Sequence, residues 1–106
     1  MIDIEIRKND SGCYTGFTVK GHAGFANSGS DIVCSAVSML VINTINSIEK
    51  FTSDKFSVKD DEKKGLIEFE FISKEISPDS KLLLDAMCLG LSSAQESYRQ
   101  FIRLRV

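Results

Sequence analysis

The sequence has one histidine, His22, and it precedes a short segment of small residues that ends near Cys34. Helical spacing of apolar residues begins at Ile32, so Cys34 is expected within the first turn of a helix capped by Asp31 or Ser30. A helix dipole, nearby backbone N–H groups and an imidazole each favour the thiolate form of a cysteine. His22 would then be the base for thiolate attack and the acid for the leaving amine, while N–H groups at the helix start would hold the oxyanion. This pattern is typical of nucleophilic cleavage of a peptide bond.

The same residues have other interpretations. A cysteine at an apolar helix start is by default a buried packing residue. Asp31 either caps the helix or orients His22 as a third catalytic residue. Ser38, one turn after Cys34, either bonds back to the Cys34 carbonyl or positions the thiol. A zinc site of His22, Asp31 and Cys34 would have three protein ligands where structural zinc usually has four, so neither a metal nor another cofactor is expected.

The segment between His22 and the helix is rich in glycine and other small residues, which predicts a flexible loop. It includes Ala23, Gly24, Phe25, Gly29 and Ser30. We expect this loop to close over a peptide substrate, with Phe25 lining the pocket.

The composition of the chain also indicates the cellular compartment and the kinds of partner to expect. The chain has three cysteines and no CxxC spacing, so Cys13 and Cys88 are expected to be reduced packing or surface residues. No export signal is seen at the start, and the uncharged stretch 32–48 is shorter than the ~20 apolar residues of a membrane span. A cytoplasmic protein without membrane association is expected. The net charge of −2 gives no reason to expect direct nucleic-acid binding.

Hydrophobic periodicity predicts the elements that must position these residues. Period-two alternation predicts strands, and spacing of three and four predicts helices, in the order β-β-α-β-β-α-β. Alternating strands have one apolar face to cover, so the expected fold class is α+β, with two helices packed on one face of a mostly antiparallel sheet. The 106 residues suit a single domain, 1–106. Met39 and Ile42 widen the apolar arc of the first helix, so either the second helix and sheet or a second subunit must cover it.

Two segments of the sequence resemble the signature of the ribosomal-processing cysteine protease family, Prp. They are Gly21-His22-Ala23 and Gly29-Ser30-Asp31-Ile32-Val33-Cys34-Ser35-Ala36-Val37-Ser38. The resemblance extends over almost the whole chain, in length and in element order. The chain has Ser35 where the family typically has alanine, a small-for-small change.

The resemblance implies a cysteine endopeptidase that removes the N-terminal extension of large-subunit ribosomal protein twenty-seven, an extension with paired phenylalanines before the cut. It implies Cys34 as nucleophile, His22 as base, Asp31 as a further motif position, and a homodimer. Two competing functions are a non-catalytic ribosome-associated module that binds peptide by strand addition, and a redox-sensing thiol. The absence of a resolving cysteine adjacent in sequence disfavours the second.

Overall fold

The computed structural model describes residues 1–21 and 28–106, with the backbone alone for residues 28–31. Within this part of the chain the elements follow the predicted order: β1 (Ile2–Lys8), β2 (Tyr14–Lys20), α1 (Ser28–Phe51), β3 (Phe56–Asp61), β4 (Leu66–Phe71), α2 (Pro78–Ser97) and β5 (Ile102–Arg105). The described strands form a five-stranded sheet in the order β3-β4-β2-β1-β5. The β-β-α-β-β-α-β prediction is confirmed.

The sheet is mostly antiparallel, as expected. β1 pairs with β2, β2 with β4, and β3 with β4, all antiparallel. β5 instead runs parallel to β1, with Ile2 opposite Ile102. Phe17 of β2 lies opposite Phe69 of β4, and their rings stack with centroids 4.8 Å apart, which fixes this register at the centre of the core.

The helices cover one face of the sheet because the strands alternate as the sequence predicted. Phe17 and Val19 of β2 are buried, whereas Thr18 is half-buried and Lys20 exposed. Each helix turns one apolar stripe to this face. The buried apolar stripes are Val33, Val37, Val41, Ile45 and Ile48 on α1, and Leu84, Met87 and Leu91 on α2. Residues Ile32–Phe51 are also long and apolar enough to cross a membrane by length and composition, and this core packing accounts for part of that character.

A second apolar face of the helices remains uncovered. Ile32 and Met39 of α1 are 63% and 71% exposed, and Leu82 and Leu89 of α2 are 67% and 71% exposed. Ile32 and Ala36, although they continue the apolar spacing of α1, are both exposed. The sheet and α2 therefore do not cover the wide apolar arc of the first helix.

The start of α2 follows the sequence signals closely. Ser77 is the N-cap, its hydroxyl accepts from the Ser80 N–H, and Pro78 occupies the start of the helix. Further along, Gly90 faces Leu40 of α1 so closely that a Cβ there would lie 2.7 Å from Leu40 Cδ2. The two helices are therefore in close contact at Gly90.

Candidate active site

A cavity of about 240 Å³ opens between α1 and the β3–β4 hairpin, and Cys34 lies in its wall. Three of its residues, Cys34, Ser38 and Ile42, are spaced by four along α1 and therefore stack on one side of the helix. The rest of the lining is mainly apolar and comes from the sheet and from the hairpin turn. These residues include Ile2, Val19, Leu66 and Ile67, together with Gly21 and Gly65.

Cys34 is half-buried, so its sulfur is part of the packed core without being sealed in it. Its neighbours Val33 and Val37 are 1% and 2% exposed and anchor this part of α1 to the sheet. Cys34 itself packs against the core as a partly buried residue and also lines the cavity. The packing interpretation of Cys34 therefore stays open, since the residue both contacts the core and borders the cavity.

The beginning of α1 differs from the prediction. α1 starts at Ser28, so Ser30 and Asp31 lie inside its first turn and neither is the N-cap. Gly29 and Ser30 likewise belong to the helix and not to the predicted loop. Serine and glycine are poor helix formers by at most about 1 kcal/mol each, and the packing of the apolar stripe further along the same helix outweighs that cost.

This earlier start moves Cys34 relative to the helix end. Cys34 is the seventh residue of α1, in the second turn, and the dipole effect falls off within the first. The N–H groups without helical partners belong to the first turn of α1, ahead of Cys34. The N–H of Cys34 is within the regular helical ladder, so the free N–H groups to which the oxyanion was assigned lie before Cys34 in the helix. The dipole is expected to stabilise a thiolate at Cys34 less than the predicted helix start implied.

Ser38 lies one turn after Cys34, as predicted, and lines the same cavity. Its hydroxyl forms no hydrogen bond with another residue in the described part of the chain, so the expected bond to the Cys34 carbonyl is absent there. Thr44 and Thr52 do make this bond to the carbonyl four residues earlier, at 2.8 and 2.7 Å. The Ser38 hydroxyl is thus available to the cavity.

The wall of the cavity opposite α1 includes Gly21, the residue before His22. Gly21 lines the cavity, and its N–H donates to the Gly65 carbonyl at 3.0 Å, which ties the end of β2 to the β3–β4 turn. Its φ of +104° is one that glycine alone adopts readily. His22, Ala23, Gly24 and Phe25 lie outside the described residues, and so does the Asp31 side chain. Their predicted roles therefore stay predictions.

Sequence reasoning missed one contribution to the site. Asp60, Asp61 and Glu62, at the end of β3 and in the following turn, line the cavity. Asp61 Oδ1 accepts from the Lys64 N–H at 3.2 Å and so stabilises the turn. The charged turn was visible in the sequence, but no local pattern linked it to Cys34, because the pairing of β4 with β2 brings the two together.

The other cysteines lie away from this cavity. Cys13 is exposed in the β1–β2 turn, and Cys88 is half-buried on α2. Burial raises the pKa of Cys88, and the Tyr14 hydroxyl lies 3.9 Å from its sulfur. Among the residues whose side chains are described, no group of three or more His, Cys, Asp or Glu is arranged to hold a metal ion. The weak zinc alternative involved His22 and Asp31, whose side chains lie outside the described residues, so it is not tested.

Comparison with known proteins places this architecture in one family. The family model described as "Cysteine protease Prp" matches residues 1–103. The ribosomal processing cysteine protease Prp of Staphylococcus aureus strain Mu50 is 30% identical over 104 residues, covering 98% of this chain and 97% of the relative. The protein of the same name from Bacillus subtilis strain 168 is 27% identical over 107 residues, covering 98% and 96%.

A solved structure agrees with the fold. The Staphylococcus aureus ribosomal processing protease Prp, crystallised with a covalently linked product peptide, superimposes with a TM-score of 0.89 at 30% identity, covering 99% of this chain and 98% of that one. The family match spans nearly all of the sequence and includes the cavity wall with Cys34. The chain therefore belongs to the Prp family of cysteine proteases.

Proposed function

We propose that this chain is an endopeptidase that removes the N-terminal extension of large-subunit ribosomal protein twenty-seven, with Cys34 as nucleophile. The observation that carries the proposal is the placement of Cys34 in the wall of a largely apolar cavity that can receive a peptide side chain. Its relatives from Staphylococcus aureus and Bacillus subtilis are named ribosomal processing proteases. A covalently linked product peptide in the solved relative fits a thiol nucleophile in the family.

The chemistry divides between two side chains. His22 takes the Cys34 proton, the sulfur bonds to the scissile carbonyl carbon, and the imidazolium returns the proton to the leaving amine as the C–N bond breaks. A water molecule, deprotonated by His22, then displaces the thiol and releases the acid product. Since Cys34 lies beyond the first turn of α1, activation of the thiol depends on His22 more than on the helix dipole. No cofactor takes part.

Asp31 has one proposed role left. Its position inside the first turn of α1 excludes the N-cap role. We assign to it the orientation of the His22 ring, a positioning role that an amide fulfils poorly because it does not stabilise the imidazolium. Asp31→Asn is therefore expected to lower kcat more than it raises KM.

Mutation of the two reacting groups tests the assignment directly. Purified wild-type protein, Cys34→Ala, Cys34→Ser and His22→Ala are each incubated with the extended ribosomal protein, and cleavage is followed by mass spectrometry. Cys13→Ala is the matched control, because Cys13 is an exposed cysteine that does not line the cavity. We expect cleavage by the wild type and by Cys13→Ala alone. Cleavage by Cys34→Ala, or an intact extension with the wild type, contradicts the proposal.

The predicted loop has its own test. Residues Ala23, Gly24 and Phe25 are proposed to cover the substrate, with Phe25 against a large apolar side chain. Limited proteolysis of Cys34→Ala, with and without a peptide spanning the cleavage site, measures protection of this segment. Equal cleavage rates in the two samples argue against a closing role.

We also propose that the active protein is a homodimer in the cytoplasm. The uncovered helical face, with Ile32 and Met39 on α1 and Leu82 and Leu89 on α2, offers an apolar surface for a second copy. Sedimentation of Met39→Glu and Leu89→Glu tests this, with Ile72→Glu as a control on an exposed residue elsewhere. We expect monomers for the first two variants and dimers for the control, and unchanged dimers in all three contradict the assignment of this face.

A further inference from the structure

The cavity extends along α1 beyond the reacting sulfur. Cys34 and Ile42 both line it and are two successive spacings of four apart. With a rise of 1.5 Å per residue, their Cα atoms are about 12 Å apart along the helix axis. An extended peptide advances about 3.3 Å per residue, so this distance corresponds to roughly three or four substrate residues. A peptide that runs along α1 from its scissile carbonyl at Cys34 would therefore reach Ile42 with a side chain remote from the cut.

The surroundings of Ile42 define what that side chain can be. The cavity wall near the sheet consists of apolar residues, including Val19 of β2 and Leu66 and Ile67 of β4. Such a surface favours burial of an aliphatic or aromatic side chain, whereas the acidic groups of the cavity belong to the end of β3 and the following turn. The chemical class expected at this position is therefore a large apolar side chain.

Ile42 differs from its neighbours in how firmly it is held. Val37 and Val19 also line the cavity, but they are 2% and 7% exposed and form part of the core. Ile42 is 44% exposed, so its size can change with little effect on core packing. Substitution of such a residue is expected to change the depth of the cavity and to leave the core intact.

We propose that Ile42 is a specificity-determining residue, which sets the depth of an apolar subsite for the substrate side chain three or four residues from the scissile bond. The inference depends on the proposed function for the position of the scissile bond at Cys34. It does not depend on which protein supplies the peptide, because the subsite is defined by the cavity wall.

Two substitutions of opposite size test the inference. Wild type, Ile42→Ala and Ile42→Phe are assayed on a peptide library in which each position on both sides of the cut is varied in turn among Ala, Val, Leu, Phe and Trp. Ile72→Ala is the matched control, because Ile72 is 68% exposed and does not line the cavity. The same peptides are titrated against each variant with Cys34 also changed to alanine, which measures binding without cleavage.

We expect a change of roughly 10-fold in kcat/KM ratios at one position, three or four residues from the cut. Ile42→Ala shifts the preference there toward Phe and Trp, and Ile42→Phe shifts it toward Ala and Val, with matching changes in Kd. Profiles that superimpose on the wild type at every position overturn the inference, and so does a change confined to the residues beside the cut. Failure of the wild type to cut the ribosomal extension while it cuts library peptides refutes the proposed substrate alone.

Discussion

Gly21 lies directly against the backbone of Met1: a Cβ placed on Gly21 would be 2.5 Å from the Met1 carbonyl oxygen. The same residue has φ +104° and donates its N–H to Gly65. It is also the residue before His22 and lines the cavity with Cys34. Three neighbouring pieces of chain therefore meet at a residue that has no room for a side chain.

Gly21→Ala should impair both stability and cleavage. The positive φ costs an alanine about 1–2 kcal/mol, and the contact with the Met1 backbone must be relieved by a shift of the chain next to His22. We expect the free energy of unfolding to fall by about 2–3 kcal/mol and kcat/KM to fall by at least about tenfold in protein that is still folded. Urea denaturation and peptide cleavage measure the two effects.

Gly12→Ala is the control for this prediction. Gly12 also has a positive φ, +81°, but nothing lies within 4 Å of a Cβ there. It should lose about 1 kcal/mol of stability and keep its activity. Equal activity losses in the two variants would mean that strain alone, and not the proximity of Gly21 to the cavity, explains the effect.

Asp54 should make the protein sensitive to acid. Burial raises its pKa, but hydrogen bonds from Ser77 and Ser80 outweigh this and leave the pKa below the usual range. A lowered folded-state pKa gives stability that is present above the unfolded value of about 4 and is lost as the pH falls through the folded value. Asp54→Ala should therefore cost about 2 kcal/mol at pH 7 and less at pH 2.5, which is below the unfolded value.

Urea denaturation at the two pH values measures the effect of Asp54. Asp10→Ala, at an exposed turn position, is the control and should change stability little at either pH. A pH-independent difference between the wild type and Asp54→Ala would show that the carboxylate charge is not what holds the start of α2.

Tyr14 should have the opposite pH dependence. Its hydroxyl donates to Asp85 Oδ1 at 2.5 Å, and burial together with this bond raises the pKa of Tyr14 far above its usual range. Stability from a raised pKa is present below the unfolded value of about 10 and is lost as the pH rises beyond it. Tyr14→Phe should cost about 2 kcal/mol at pH 7 and less at pH 10.5.

Chemical denaturation at both pH values tests the Tyr14 prediction. Tyr98→Phe is a suitable control, since Tyr98 is 41% exposed. If Tyr14→Phe costs as much at pH 10.5 as at pH 7, ionisation of Tyr14 in the unfolded chain is not linked to stability as expected.

Gly90 should tolerate one added carbon but not four. The Cβ of Gly90→Ala would meet the end of the Leu40 side chain, which can move, and alanine gains about 1 kcal/mol of helix propensity. We expect a change within about 1 kcal/mol for Gly90→Ala and a loss of about 1–3 kcal/mol for Gly90→Leu. Thermal denaturation compares them with Ala86→Leu, an exposed position on the same helix. Equal stability of Gly90→Leu and the wild type would contradict tight contact between the helices.

Local patterns predicted most of the fold. Phe17 and Val19, which alternate with polar residues, form the buried face of β2, and Ser77 followed by Pro78 is a local signal at the observed start of α2. The start of α1 was wrong because serine and glycine near its beginning are weak local signals that packing overrides. The parallel pairing of β5 with β1 depends on how the whole chain is arranged and has no local signature.

The site was less predictable than the fold. Cys34 and Ser38 followed from helical spacing, and the cavity confirms that they face one space. Ile2 and the acidic residues Asp60 and Asp61 are far from Cys34 in sequence and join it only through strand pairing. Local patterns in a single sequence do not show which distant residues come into contact. Resemblance to a family signature supplies part of that knowledge.

The pairing of Ile2 with Ile102 has a consequence for the order of events in folding. Ile2 lines the cavity, and its N–H donates to the Phe101 carbonyl at 2.7 Å. Contacts between residues so distant in sequence close the longest loops and are expected among the later steps of folding. The wall that Ile2 contributes to the cavity is therefore expected to form late, so that a partly folded chain would have Cys34 without the finished cavity around it.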